Sequence, residues 1–150
     1  MKKISRGMNL PDDNHVMRRV SSSKLRRDEN DNVIGFNPQA FELRPNEESL
    51  SVNWLEHFDG DHDSKIIRVI KELRSTQKIT KKSAFGIANV GNIKEICRKQ
   101  HALVKIVYAP TDKIPSHSEI RRLPCDDLTL REALATEAFC TLIQNADIAE

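Results

Sequence analysis

Residues 54–63 read WLEHFDGDHD, with His57, Asp59, Asp61, His62 and Asp63 crowded into one short stretch. Carboxylates on alternating positions can ligate a hard cation, and imidazoles can ligate a transition metal. Asp59, Asp61 and Asp63 match the first three acidic positions of an EF-hand calcium loop. The rest of that pattern fails, because Ser64 stands where the turn needs glycine and Ile70 where a bidentate glutamate is needed. His57 and His62 are five residues apart, which does not put them on one helical face. As metal candidates, His57, Asp59, Asp61 and His62 therefore compete with a structural reading, and the structural reading is preferred. Gly60 between aspartates is turn chemistry, and Asp61 or Asp63 can cap the helix that follows. No metal and no cofactor is expected.

A second set could handle phosphate. His15 and His117 would serve as general base and acid at a phosphodiester if the fold joined them, with Arg18 or Arg19 gripping the phosphate and Glu119 beside His117. Ser116 and Glu119, however, also have capping-box spacing, so the SHSE stretch already has a helix-starting role. A looser outline joins Arg18, the SLS of 49–51 and Glu56 around a nucleotide. FGIANVGN (85–92) offers backbone N–H groups near Gly91 but lacks the glycine spacing of a phosphate-binding fingerprint.

The third feature is charge. The net charge of +2 conceals blocks of alternating sign: +6 over 1–27, −9 over 28–63, +9 over 64–108 and −4 over 109–150. Lys65, Arg68, Lys71 and Arg74 lead into Lys78, Lys81 and Lys82, with Arg98 and Lys99 beyond. Grouped on one face, such cations would hold the phosphates of a nucleic acid; spread beside the acidic blocks, they would neutralise them. One Trp, one Tyr and five Phe leave little for stacking on bases.

These residues need a scaffold. A chain of 150 residues with 38% hydrophobic content suits one domain. No apolar run reaches the roughly 20 residues of a membrane span. Cys97, Cys125 and Cys140 are odd in number and form no CxxC pair, which suits a reducing cytoplasm; Cys97 and Cys140 read as buried thiols. Residues 1–13 read as a mobile arm, and 14–150 as a single domain. HVMRRV (15–20) has strand composition, and short strands are expected on either side of Asn37–Pro38. Over 50–58, strand and helix spacings compete, because Leu50, Val52 and Trp54 alternate while Leu50, Trp54 and Phe58 recur every fourth residue; strand is preferred. Residues 63–75 form an amphipathic helix on Ile66, Ile67, Ile70 and Leu73, with Val69 at its border. Strand, short helix capped by Asn92, and strand over 85–109 suggest a βαβ unit. Thr129 and Glu132 open a helix from Leu130 to about Gln144.

The sequence thus predicts an α+β domain, with a small mixed sheet of four to six short strands packed by two longer helices. The expected function is non-catalytic binding within a larger intracellular assembly, with a partner protein or nucleic acid met through the basic surface of 65–99. The alternative is a small enzyme acting on a phosphate-containing substrate through His15, Arg18, His117 and Glu119.

Overall fold

In a computed structural model describing residues 4–150, the chain is an α+β fold around one six-stranded sheet. In chain order the elements are β1 (His15–Val20), β2 (Leu25–Arg27), β3 (Val33–Phe36), β4 (Ser49–Trp54), α1 (His62–Thr76), β5 (Ala84–Asn89), α2 (Val90–Lys99), β6 (Lys105–Tyr108), β7 (His117–Arg121), α3 (Leu128–Ala133) and β8 (Thr141–Gln144). The main sheet has the order β6-β7-β4-β1-β5-β8, and every neighbouring pair is antiparallel. A separate hairpin pairs β2 with β3. No helix among the described residues is long and apolar enough to cross a membrane.

Period-two alternation gives the sheet two apolar faces, so it is covered on both sides. On β1, Val16 and Val20 point to one face and Met17 to the other; on β5, Ala84 and Ala88 oppose Phe85 and Ile87. Helix α1 covers the Met17 face with Ile66, Val69, Ile70 and Leu73, a spacing that keeps all four within one stripe. Ile67 lies about 100° round from Ile66 and is 39% exposed, so Val69 takes the place in the stripe expected for it. The opposite face carries α2, through Val90, Ile93 and Cys97, together with α3 and the hairpin residue Phe36.

The hairpin docks over Gly86 of β5. A Cβ there would lie 2.9 Å from the Phe36 ring and 3.3 Å from the Phe139 ring, so the bare backbone is what lets both rings come this close to the strand. Beyond Ala133 the helix widens into a π-helical turn over Leu134–Ala138, closed by the Phe139 N–H donating to the Leu134 carbonyl at 2.9 Å. That extra residue turns Leu134, Ala135, Ala138 and Phe139 all inward.

Several expectations change. The helix foreseen from Leu130 to Gln144 ends at the π turn, and its last residues become β8, because β5 needs a partner at its outer edge. Ser116 and Glu119 open no helix: His117–Arg121 is β7, held between β4 and β6. The cap of α2 is Asn89, whose side chain accepts from the Asn92 N–H, and α3 is capped by Asp127. In the 85–109 unit, β5 and β6 run the same way but are separated by β1, β4 and β7, so α2 is a wide crossover. After Pro38 the chain makes a 3₁₀ turn, Pro38–Phe41, where a second strand was expected. Cys97 is buried, and burial pushes its thiol up to about 11; Cys140 is exposed, as is Cys125. Of the expected N-terminal arm, residues 1–3 lie outside the described residues. Further along, the Gly7 N–H donates to the Tyr108 carbonyl, the Tyr108 N–H to the Met8 carbonyl, and the Leu10 N–H to the Ile106 carbonyl.

Candidate anion-binding surface

The WLEHFDGDHD stretch resolves into separate structural duties. Strand β4 ends at Trp54, and a 3₁₀ turn spans Leu55–His57. Gly60 follows with a φ of 112°, and Asp61 caps α1 by accepting from the Ser64 N–H at 2.8 Å. That bond holds the Asp61 carboxyl below its usual range. His57 packs against Trp54, Phe58 and Tyr108, whereas the His62 ring stands edge-on to His15 at 4.8 Å. Asp59 is exposed. No group of three or more His, Cys, Asp or Glu side chains among the described residues is placed to hold a metal ion.

The two candidate catalytic histidines have different neighbours. His15 is bound to Glu56: Nδ1 lies 2.8 Å from Oε2, and its backbone N–H donates to Oε1 at 2.7 Å. His117 has Nδ1 2.8 Å from the Ala109 carbonyl oxygen and Nε2 3.3 Å from Ser51 Oγ. A carbonyl can only accept, so the neutral ring carries its proton on Nδ1, and Nε2 accepts from the Ser51 hydroxyl. Glu119, beside it on β7, takes an ion pair from Arg121 at 3.0 Å. His117 shares a cleft with Arg18; His15 is not among the residues of that cleft. Of the looser outline, Arg18 and Ser51 meet and Glu56 does not join them.

The cleft comes from a split in the sheet. Strand β4 pairs with β7 over five positions and β1 with β5 over six, but β1 and β4 pair only at Val16–Trp54 and Met17–Asn53. Past Met17 the two strands part. The opening is a cavity of about 420 Å³ lined by Arg18, Arg19, Lys24, Arg44, Glu42, Glu47, Ser51 and His117 among others. Behind Asn53, under α1, runs a partly buried network: the Ser116 N–H and hydroxyl both donate to Glu72 Oε1, at 3.1 and 2.8 Å, and Asn53 Nδ2 donates to Ser116 Oγ at 3.1 Å.

Two further clefts adjoin it. One, of about 880 Å³, lies beside the C-terminal end of α1 and includes Lys71, Arg74, Lys78, Lys81 and Ile148; it shares Gln77 with the first. The other, of about 410 Å³, includes Arg27, Lys81 and Lys82 and shares Lys81 with the second. Ten of the lining side chains across the three are Lys or Arg, and four are Asp or Glu.

This tract differs from the one the sequence suggested. Lys71, Arg74, Lys78, Lys81 and Lys82 line it. Lys65 and Arg68 sit nearer the start of α1. Arg98 and Lys99 belong to α2, which packs on the opposite face of the sheet, and Arg98 is paired with Glu95 at 2.6 Å. Arg74 has an internal role: its guanidinium donates to the Asn145 side chain and to the carbonyls of Asn145, Ile148 and Ala149. Arg19 was foreseen only as an alternative phosphate grip to Arg18, and Lys24, Arg27 and Arg44 were missed as contributors to this surface. All but Arg44 come from the +6 block of residues 1–27, which was a visible signal. The helix start near Gly91 is already filled, since Val90 and Gly91 donate their N–H groups to the Asn14 and Asp12 carbonyls.

Comparison of the chain with protein-family models, curated proteins and solved structures finds no match.

Proposed function

We propose that the protein is a non-catalytic binding module of a larger intracellular assembly, and that its basic tract holds nucleic acid by the phosphate backbone. The observation carrying this reading is the continuity of the three clefts through Gln77 and Lys81, with cations outnumbering acids along them. Lys78, Lys81 and Lys82 are exposed and take part in no ion pair among the described residues, so their charge is available to a ligand. Phosphate contacts need such unpaired cations on one surface and give sequence-independent affinity. The scarcity of aromatic side chains favours backbone contact over base stacking.

The enzymatic alternative needs two histidines at one centre, and His15 and His117 keep separate partners. A reducing cytoplasm suits the three free thiols.

Fluorescence anisotropy with single-stranded and duplex oligonucleotides at 50 mM salt tests the proposal. Micromolar binding should weaken at least tenfold in the Lys78→Ala/Lys81→Ala/Lys82→Ala variant. Absence of binding to every oligonucleotide at that salt would overturn it and leave an acidic protein surface as the partner to seek.

A further inference from the structure

We infer that the split between β1 and β4 is a phosphomonoester site, built around Arg18, that receives the terminal phosphate of a nucleic-acid strand lying on the basic tract. The strand as ligand rests on the function proposed above; the phosphate site rests on the cleft itself.

Alternation along β1 sends Arg18 to the same face as Val16 and Val20, both fully buried. A cation on an apolar face is costly, and desolvation lowers the Arg18 pKa to about 10 despite the opposing field of Glu47. The side chain is fixed from two directions. Nε donates to the Ala40 carbonyl and Nη1 to the Ser51 carbonyl, each at 2.8 Å. The second is an acceptor on β4, beyond the last β1–β4 pair. Arg18 takes part in no ion pair among the described residues. A guanidinium has five N–H donors, and two of those of Arg18 find acceptors among the described residues, so three remain for a ligand. Two carbonyls fix its orientation without neutralising it, as an anion receptor requires.

The surroundings select the anion. Arg19, Lys24 and Arg44 outnumber Glu42 and Glu47. A cavity of about 420 Å³ lies within the roughly 300–1,000 Å³ of small-ligand sites, well above a bare ion's need. A terminal phosphate presents three free oxygens and one ester substituent, so it can enter nose-first. A mid-chain phosphodiester must bring two substituents into a cleft whose lining also includes Leu73, Ile114 and Glu42. The rest of the strand would leave past Gln77 onto the lysines beyond.

The test uses the full chain and three oligonucleotides of one sequence, carrying a 5′-phosphate, a 3′-phosphate or neither, read by anisotropy. One phosphorylated form should bind at least tenfold tighter than the unphosphorylated one. Arg18→Gln should erase that difference, whereas Lys78→Ala/Lys81→Ala/Lys82→Ala should weaken all three and preserve it. If Arg18→Gln does not fold, by circular dichroism, the exposed Arg44→Ala serves, with the difference expected to shrink. Equal affinity for the three oligonucleotides would overturn the phosphate site and leave the basic tract standing. If none binds, the tract reading fails. Calorimetry with a nucleoside 5′-monophosphate against the nucleoside then decides the cleft, with preference for the monophosphate sustaining it and equal or absent binding overturning it.

Discussion

At the scale of single residues, the fold turns on groups whose neighbours are distant in sequence. Gly86 is one: its missing Cβ is the space occupied by the Phe36 and Phe139 rings. Gly86→Ala should lower stability by about 1–3 kcal/mol, as overpacking in a filled core does, measured as a reduced urea midpoint with an unchanged slope. Nothing local in SAFGIANV marks that glycine, because what fills its space comes from the hairpin and the π turn. Asp61 is the opposite case. Its capping role was readable from DGDHDS, since the bond it makes is to a backbone group three residues on. Its folded carboxyl is held below the usual 3.8 by that bond, so it stabilises the fold above the unfolded-state pKa, and this contribution is lost as pH falls through the lower folded value. Asp61→Ala should therefore lower the melting temperature at neutral pH, and its deficit should narrow as pH falls below 3.8. A deficit that stays constant across that range would show that the charge contributes nothing.

At the scale of elements, α1 was legible from its own apolar stripe, and β4 only by preference, because the alternation of Leu50, Val52 and Trp54 competed with a four-residue spacing. The segments misread were those whose state is set by a partner. The SHSE stretch has a helix-starting pattern, yet β4 and β6 bind it on both sides as β7. The end of the expected C-terminal helix is drawn off as β8 by the open side of β5. The tail after β8 is then anchored by Arg74, a residue the sequence offered only as a surface cation. Asn145 completes the anchor, its Nδ2 donating to the Ile79 and Thr80 carbonyls. Arg74→Met should cost about 1–2 kcal/mol, given charged hydrogen bonds that are partly solvated. Amide exchange should accelerate at residues 145–149 while the central strands stay protected. Uniform acceleration across the sheet would mean that the tail is not a separate unit.

For the whole molecule, the charge blocks of the sequence become geography. The basic block of 64–108 is divided between the two faces of the sheet, and part of the basic N-terminal block crosses over to complete the tract beside α1. No linear reading could sort these cations, because the face each occupies depends on strand order. If the tract holds nucleic acid, removing three of its phosphate contacts should flatten the plot of log affinity against log salt by about 2–3 units of slope. An unchanged slope would place those lysines away from the phosphates. The pairing of residues 7–10 with β6 has another consequence. A sheet edge is a row of unsatisfied backbone groups that invites a foreign strand. Here one rim is covered by residues 7–10, bridged at Asn9 and Val107. What remains at the other rim is β8, four residues long with both ends exposed. The molecule therefore carries its own guard against stacking edge to edge, and the guard is only as durable as the few residues that form it.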